Sequence, residues 1–362
     1  MAYDPLLPYN DLPDLPPATD LDDPVILRAL AEASRYLGEL NGLCASLPDP
    51  AILLNTLVVQ ESKDSSAIEN IVTTQDELYR AIADDAATSA MAKEVLNYRE
   101  ALYVGLHKMQ KQHNLLVTNL FVDIVQTLKQ NGAGVRNTPG TALRNASSNS
   151  VVYTPPCCED VLRQKLAALE RFINEDQPDG TDPLIKMALI HHQFEAIHPF
   201  MDGNGRTGRI LNVLYLVQQN LLPQPVLYLS RYINVYKSDY YRLLRQVTEG
   251  QNWTEWIVFM LNGIRDTAQL STSKIRRMLQ LMDELEPITR QALGSSYDHA
   301  LLKLLFTLPY LKIDLLQRRG LATRQTASTY LKKLAAAGIL TPNPIGRTTY
   351  YVNQRLIDLL AD

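Results

Sequence analysis

Apolar residues recur at helical spacing through most of this 362-residue chain. Segments such as "PVILRALAEASRYLGELNGL" and "LIKMALIHHQFEAI" repeat them every three or four positions, which is typical of helices that bury one face. The β-branched run "SVVYTPP" breaks this pattern and is typical of a strand or of one arm of a hairpin. The sequence therefore predicts a mainly α-helical fold in two or three domains, with β-structure confined to small elements.

The overall charge, the N-terminal segment and the lengths of the apolar stretches argue against several classes of protein. A net charge of -4 and a pI of about 5.9 argue against a chain that binds polyanions along its length, so any nucleic-acid contact requires a local patch. The acidic, proline-rich start lacks the basic and apolar segments of a signal peptide, and no stretch approaches the roughly 18 apolar residues of a membrane span. Cys44, Cys157 and Cys158 are interpreted as free thiols. We expect a cytoplasmic protein without membrane contact.

The stretch "HPFMDGNGRTGR", residues 198–209, concentrates groups that handle phosphate. Pro199 disfavours the α conformation at His198, so the preceding helix should end there. The glycines, followed by the N-terminus of a new helix, expose backbone N–H groups that can cradle an anion. Arg206 and Arg209 are three positions apart, so they share a helix face and can clamp one polyanion.

Two further side chains of this stretch point to transfer chemistry. Asp202 is a hard oxygen ligand of the kind that holds a Mg²⁺ bridging phosphates. His198 carries an imidazole, which can accept a proton from an attacking hydroxyl near neutral pH. A tight turn beside solvated arginines is the alternative interpretation, but it does not explain why base, acid and paired arginines occur together. The motif therefore predicts phosphoryl or nucleotidyl transfer.

This stretch resembles the signature of the Fic family, which reads His-Pro-Phe, an acid, Gly-Asn-Gly and two arginines. The segments "LIKMALIHHQFEAI" and "VVYTPP" also resemble their counterparts in that family, and the resemblance covers most of residues 1–265. It implies a Fic-type helical core with a small β-hairpin flap. It also implies an enzyme that transfers AMP from ATP to a Ser, Thr or Tyr hydroxyl of a target protein or of itself, with Mg²⁺ as cofactor and pyrophosphate as the second product.

The resemblance assigns roles to individual residues. His198 would be the general base, Asp202 would hold Mg²⁺, and Phe200 would anchor the loop in the core. The nucleotide would be held by the residues that follow the acid, namely Gly203, Asn204, Gly205, Arg206, Thr207, Gly208 and Arg209.

Adjacent tyrosines in "SDYYRLLRQVTEG" are further candidates. By the resemblance, Tyr240 and Tyr241 would line the adenine–ribose pocket, whereas packing of aromatic residues in the core is the competing interpretation. Relatives carry an asparagine where this chain has Thr248, so no nucleotide contact is assigned to it. His191 and His192 lack the i, i+4 spacing of a metal pair and are interpreted as ordinary helix residues.

The segment "SSAIEN", residues 65–70, allows two interpretations. Ser66 and Glu69 have the spacing of a capping box at the start of a helix. Ser65, Glu69 and Asn70 instead resemble the inhibitory motif of the Fic family. That resemblance implies that Glu69 forms an ion pair with Arg209, keeps it from the ATP γ-phosphate and so inhibits the enzyme.

The segment "NTPGTALRNASSNSVVYTPP" lies where the family has its flap. Strand addition along an open edge would hold the target segment in an extended form. A surface loop that ends at the proline pair is the alternative interpretation.

Residues 297–362 differ from the rest of the chain. The segments "HALLKLLFTLPY", "KIDLLQRRG" and "TRQTASTYLKKLAAAGIL" predict three helices, and "TPNPIGRTTYYVN" predicts two short strands. This order resembles a winged helix-turn-helix. Nine Lys and Arg face four Asp and Glu here, so the region is locally basic. The candidate DNA contacts are Arg324, Gln325, Ser328 and Thr329 on the recognition helix and Arg347 at the wing.

The predicted organisation has four regions, with a long amphipathic helix from about Thr272 to Leu293 as the connector. They are an N-terminal helical region with the inhibitory motif, a Fic catalytic core, a connecting helix and a winged helix-turn-helix, at residues 1–110, 111–265, 266–296 and 297–362. The C-terminal region could also serve dimerisation, and a homodimer is compatible with the helical surface. The alternative function is a DNA-binding transcriptional regulator that senses a nucleotide.

Overall fold

The computed structural model describes residues 3–47, 51–85, 89–145, 148–175 and 180–361. Within these ranges the chain forms α-helices, one 3₁₀ turn and short strands, so the mainly α-helical prediction is confirmed. The helices are α1 Pro24–Ala45, α2 Ala51–Ile68, α3 Gln75–Asp84, α4 Ala90–Lys111, α5 Thr118–Lys129, α6 Glu159–Asn174, α7 Pro183–Ile197, α8 Asn204–Gln218, α9 Ser230–Val235, α10 Lys237–Gly250, α11 Trp253–Leu293, α12 His299–Thr307, α13 Ile313–Arg318, α14 Arg324–Ala336 and α15 Gln354–Ala361. The strands are β1 Leu143–Arg144, β2 Val151–Tyr153, β3 Tyr310–Leu311, β4 Thr341–Ile345 and β5 Thr348–Val352. Across the described ranges, the helices all fall short of the length and apolarity that a bilayer crossing requires.

Helices α7 and α8 pack against each other in the centre of the core. Nearly all residues of helix α7 are buried, including polar ones such as Lys186 and Gln193, as expected of a helix surrounded by other helices. It ends at His198, where the sequence predicts a break before Pro199. Phe200 is fully buried beneath the loop that follows, with its ring centroid 6.2 Å from that of Phe194. The loop between the two helices is therefore held from below by the core.

Helix α11 is a single helix of 41 residues. The sequence divides this segment into a core helix and a connecting helix, but nothing near residue 266 interrupts the hydrogen-bond ladder. Its buried face continues on the same side through both parts and packs along α1. The division of the chain at residues 265 and 296 stays a prediction.

The flap and the C-terminal region supply the strands. Strands β1 and β2 form a short antiparallel hairpin, with Leu143 opposite Tyr153. In the C-terminal region, β3, β5 and β4 form a three-stranded antiparallel sheet in that order. The predicted helix through Tyr310 is wrong in its last turn, since α12 ends at Thr307 and Tyr310 lies in β3. Pro309 explains the difference, because it disfavours a helical conformation at Leu308.

The C-terminal region contacts helix α3, which follows residues 65–70 in the chain. Lys312 Nζ lies 2.6 Å from Asp84 Oδ1, and the Tyr350 hydroxyl donates to Asp84 Oδ2 at 2.7 Å. The ring of Tyr310 stacks on that of Tyr79 with centroids 6.3 Å apart. Elements more than 200 residues apart in the chain are therefore joined by polar and aromatic contacts.

Candidate active site

The loop after α7 is held by a buried arginine that the sequence did not single out. Arg136 Nε donates to the His198 carbonyl at 2.7 Å, and Arg136 Nη2 donates to the Pro156 carbonyl at 2.5 Å. The backbone N–H of Arg136 donates to the Pro199 carbonyl at 2.9 Å. Arg136 is 3% exposed. Its guanidinium thus satisfies the His198 carbonyl at the end of α7 and ties it to the Pro156 carbonyl of the segment after β2.

Replacing Arg136 with methionine is expected to lower the free energy of unfolding by about 3 kcal/mol or more, because buried carbonyls lose charge-assisted hydrogen bonds. Urea denaturation of the two proteins measures the difference. Arg163→Met is the matched control, since Arg163 is 59% exposed and should change stability by less than about 0.5 kcal/mol. Equal losses in the two variants would contradict the role of Arg136.

His198 carries an uncharged imidazole at the end of α7. It adopts a left-handed conformation with φ of 50° at the end of α7, and its N–H donates to the Phe194 carbonyl at 3.0 Å. Burial, helped by the positive charge of Arg136, lowers the pKa of His198 to about 4. The imidazole is therefore unprotonated at neutral pH and can accept a proton.

The glycine turn after His198 is closed by Asn204. Asn204 Oδ1 accepts from the Phe200 N–H at 2.8 Å, and Asn204 Nδ2 donates to the Phe200 carbonyl at 2.7 Å. Gly203 has φ of 87°, and a Cβ there would lie 3.2 Å from Val125 Cγ2, so both backbone strain and crowding favour glycine. The turn presents the N-terminus of α8, where backbone N–H groups can bind an anion.

Arg209 forms an ion pair with Glu69, as the resemblance predicted. Arg209 Nη2 lies 2.8 Å from Glu69 Oε1, Arg209 Nε donates to Ser65 Oγ at 2.8 Å, and Nη2 also donates to the Ser65 carbonyl at 3.0 Å. Burial raises the pKa of Glu69, but the charge of Arg209 outweighs it and holds the pKa below its usual value. A Cβ at Gly205 would lie only 2.9 Å from Arg209 Nη1, so glycine leaves room for the pair.

The capping-box interpretation of residues 65–70 is wrong. Helix α2 continues to Ile68, so Ser66 and Glu69 lie at a helix C-terminus and not at a start. Within the described ranges, Ser66 Oγ has no hydrogen-bond partner. Asn70 adopts φ of 62°, a left-handed conformation that asparagine tolerates, and it ends the helix so that Glu69 faces the glycine turn.

Arg206 and Asp202 also have partners that the sequence did not indicate. Arg206 Nη1 lies 2.6 Å from Glu94 Oε2 on α4, and the Arg206 side chain is 3% exposed. Lys129 Nζ on α5 lies 2.5 Å from Asp202 Oδ2 and 3.9 Å from Glu94 Oε1. The two charged groups of the loop are thus neutralised by neighbouring helices.

The Asp202 carboxylate suits Mg²⁺ only if other ligands complete the coordination shell of the ion. Its side chain is 65% exposed, and although burial raises its pKa, the hydrogen bond and charge of Lys129 give a net pKa below the usual value. Within the described ranges, no three His, Cys, Asp or Glu side chains are grouped so that they could hold a metal ion together. Mg²⁺ commonly takes one or two carboxylates and completes its shell with water and substrate phosphates, which suits a single exposed aspartate.

Thr207 and Gly208 face neighbouring helices. Thr207 is fully buried, and a Cβ at Gly208 would lie 2.8 Å from Glu195 Oε1 on α7. Burial raises the pKa of Glu195 to about 7. Gly208 thus permits the close approach of α7 and α8, while nucleotide contacts of both residues stay predictions.

A cavity of about 660 Å³ lies beside the pair of Glu69 and Arg209, and Glu69, Tyr241 and Thr248 are among its lining residues. Tyr241 is 46% exposed, whereas Tyr240 is buried, with its hydroxyl 2.8 Å from His191 Nε2. Core packing, the competing interpretation, therefore describes Tyr240. Only Tyr241 of this pair lines the cavity.

His191 and His192 take part in the same aromatic packing. His191 stacks on Trp256 with ring centroids 6.0 Å apart, and His192 packs edge-on to Trp253 at 4.8 Å. Burial lowers the pKa of His191 to about 3 and that of His192 to about 4. Their interpretation as helix residues and not as a metal pair agrees with this packing.

Fold and site together define a helical protein whose central loop can bind an anion beside a neutral histidine. Three family models match parts of the chain: "Fic/DOC family N-terminal" at residues 27–107, "Fic/DOC family" at residues 103–216, and "Protein adenylyltransferase SoFic-like, C-terminal domain" at residues 281–356. The chain belongs to the Fic/DOC family.

Curated relatives match over part of their length. The protein adenylyltransferase Fic of Nematostella vectensis is 29% identical over 158 residues, which cover 43% of this chain and 34% of the relative. The protein adenylyltransferase fic-1 of Caenorhabditis briggsae is 37% identical over 71 residues, which cover 20% of this chain and 14% of the relative. The matches thus span about a third or less of these relatives.

Solved structures share the fold. A Fic family protein from Desulfovibrio desulfuricans G20 superposes with a TM-score of 0.57 at 22% identity, covering 94% of this chain and 98% of that chain. Fic-1 of C. elegans superposes with a TM-score of 0.54 at 16% identity, covering 70% of this chain and 75% of that chain. The Fic-type fold predicted from the sequence is confirmed.

Proposed function

We propose that this protein is a protein adenylyltransferase, which transfers AMP from ATP to a Ser, Thr or Tyr hydroxyl of a target protein or of itself. The observation that carries the proposal is the arrangement of one loop, which joins the neutral His198 to a glycine turn at a helix N-terminus and to two buried arginines. The curated relatives named as protein adenylyltransferases support the same activity.

The proposed reaction is an in-line transfer at the α-phosphorus of ATP. The acceptor oxygen forms a bond to the α-phosphorus, and His198 takes the proton of the hydroxyl. The bond from the α-phosphorus to the oxygen that bridges to the β-phosphorus breaks, and pyrophosphate leaves with that electron pair. Arg209, once released from Glu69, would stabilise its charge together with N–H groups of the glycine turn. Arg206 would contribute only by exchanging its carboxylate partner Glu94 for the phosphate. When bound at Asp202, Mg²⁺ would neutralise part of the phosphate charge.

We propose that Glu69 inhibits this reaction. An arginine that pairs with a carboxylate at 2.8 Å is not available to an outer phosphate of ATP. Ser65 contributes because its hydroxyl and its carbonyl both accept from Arg209. Asn70 contributes by ending α2 where Glu69 meets the loop.

Labelled ATP tests the proposed activity. The wild type and Glu69→Gly are incubated side by side with a cell lysate and either α-labelled or γ-labelled ATP. Covalent protein label from the α position alone supports AMP transfer. Label from the γ position alone would show phosphoryl transfer, and no label with either variant would favour a nucleotide sensor.

The pH dependence of Glu69→Gly is expected to reflect the low pKa of His198. Protonated imidazole cannot take the proton of the acceptor hydroxyl, so kcat/KM should stay level from about pH 8 to pH 5.5. It should fall only as the pH reaches about 4 or lower, because the variant lacks the Glu69 charge that raises the pKa of His198. Initial rates measure this profile, with circular dichroism at each pH as a control for folding. A fall centred at about pH 6.5, the value of a solvated histidine, would contradict the assigned environment.

A second candidate function, DNA binding, is favoured by the exposed polar and basic side chains of the C-terminal region. We propose that this region is a winged helix-turn-helix in which α14 is the recognition helix. Arg324, Gln325 and Thr329 on α14 are exposed, as is Arg347 in the turn between β4 and β5, whereas Ser328 is half-buried. Fluorescence anisotropy with duplex DNA tests this, and Arg324→Ala should weaken binding and reduce its salt dependence.

Two further proposals concern the cellular location and the oligomeric state of the protein. A cytoplasmic location is supported by Cys44, Cys157 and Cys158, none of which forms a disulfide within the described ranges. A homodimer is compatible with the exposed helical surface, and analytical ultracentrifugation measures it.

A further inference from the structure

The N-terminal residues 3–14, here called the strap, run beside the flap. The Tyr9 N–H donates to the Thr154 carbonyl at 3.0 Å, directly after β2. The Thr154 hydroxyl donates to the Pro5 carbonyl at 2.7 Å, and the Cys157 N–H donates to Asn10 Oδ1 at 2.9 Å. Backbone and side-chain hydrogen bonds therefore hold the strap against the chain that follows the flap strand.

The other end of the strap is fixed to the helical core. Gln193 Nε2 on α7 donates to the Pro13 carbonyl at 2.8 Å, and Lys165 Nζ on α6 lies 3.0 Å from Asp14 Oδ1. Leu12 is 3% exposed and belongs to the hydrophobic core. The strap is thus an ordered part of the fold, although the matching family models begin only at residue 27.

Tyr3 is the residue of the strap that lines the cavity. Its ring stacks on that of Tyr153, with centroids 6.2 Å apart and an interplanar angle of 26°, and its hydroxyl donates to the Val152 carbonyl at 3.3 Å. Tyr153 in turn donates to the Ala196 carbonyl at 2.7 Å, two residues before His198. Tyr3 therefore joins the lining of the 660 Å³ cavity from the flap side.

The lining of this cavity suits a nucleoside. Its volume of about 660 Å³ lies within the usual range for small-molecule sites. Tyr3 lines it from the strap and Tyr241 from α10. Each ring also packs against another tyrosine, Tyr153 or Tyr240, so a flat base would contact the part of each ring that lines the cavity. Thr248 adds a short polar side chain, and Glu69 marks the end next to Arg209.

We propose that Tyr3 forms a wall of the nucleoside-binding cavity and contacts the purine base of ATP. The inference rests on the proposed function, since it takes ATP as the substrate. An aromatic ring stacks on any base and contributes affinity without a charge. Burial raises the pKa of Tyr3 to about 12, so its hydroxyl remains a hydrogen-bond donor. The strap thus adds to the site a residue from outside the segments that define the family.

The test measures ATP binding by calorimetry in Glu69→Gly, where Arg209 no longer pairs with a carboxylate and keeps only its hydrogen bonds to Ser65. Adding Tyr3→Ala should raise the Kd for ATP about 5- to 150-fold, the range that stacking on one base produces. Tyr3→Phe should keep most of the affinity. Tripolyphosphate, which has no base, should bind equally well with and without Tyr3→Ala, a result that general disruption of the site would not give.

Leu6→Ala is the matched control, because Leu6 lies on the strap but is 67% exposed. It should leave the Kd for ATP unchanged. An unchanged Kd in Tyr3→Ala, or an equal loss of tripolyphosphate binding, would overturn the proposal. AMP found on Tyr3 by peptide mass spectrometry would also overturn it, since the Tyr3 hydroxyl would then be a site of AMP transfer and not part of the base-binding wall. If Glu69→Gly itself binds no ATP, the proposed function fails as well.

Discussion

Glu69→Gly is expected to raise AMP transfer about 10- to 150-fold, the factor that corresponds to releasing one buried charge-assisted interaction of about 1.5–3 kcal/mol. The reason is the competition for Arg209, whose side chain is 2% exposed and is held by Glu69 and Ser65. Once the carboxylate is absent, the guanidinium can bind an outer phosphate. Initial rates of incorporation from α-labelled ATP measure the change, with self-modification read from the same gel.

Two other variants at position 69 distinguish the effect of losing the carboxylate charge from the effect of the flexible glycine backbone. Glu69→Ala removes the carboxylate without adding the flexibility of glycine and should match Glu69→Gly. Glu69→Gln keeps an acceptor for Arg209 but lacks the charge, so its rate should lie between the wild type and Glu69→Gly. If only the glycine variant is more active, the release of backbone strain and not the ion pair explains the effect.

The parts of the site that the sequence predicted are those whose chemistry is local. Pro199 restricts the residue before it, and α7 accordingly ends at His198. The glycines of the loop allow the turn at Gly203, where φ is 87°. The pairing of Glu69 with Arg209 is different, because it joins residues 140 positions apart. Only the resemblance to the family's inhibitory motif indicated it.

The parts that the sequence did not indicate depend on tertiary packing. Arg136, Glu94 and Lys129 lie in ordinary helical or loop segments, and no spacing rule distinguishes them from other charged residues. They meet the loop because α4 and α5 pack against α8 and against each other. Tyr3 reaches the cavity through hydrogen bonds to residues about 150 positions away.

The capping box at Ser66 shows how a local rule fails. Its spacing fits a helix start, yet α2 has already begun at Ala51 and continues through this segment. A start signal inside a continuing helix has no free N–H groups to satisfy. The side chain of Glu69 is instead used by a distant arginine.

His198→Ala in the Glu69→Gly background is expected to lower kcat about 100- to 10,000-fold, the usual contribution of a general base. In the proposed reaction the imidazole takes the proton, and its pKa of about 4 keeps it unprotonated at neutral pH. The Kd for ATP should change little, because the glycine turn and the two arginines remain. Single-turnover incorporation from α-labelled ATP and calorimetry on the same protein measure the two quantities.

His107→Ala is the control, since His107 is exposed on α4 and alanine is favoured in a helix. It should leave both the rate and the Kd unchanged. Transfer that persists in His198→Ala would mean that another group takes the proton. A loss of ATP binding together with transfer would show that the imidazole holds the loop in shape, as Arg136 does through the His198 carbonyl. A loss of kcat with ATP binding intact is the result that only a base at this position explains.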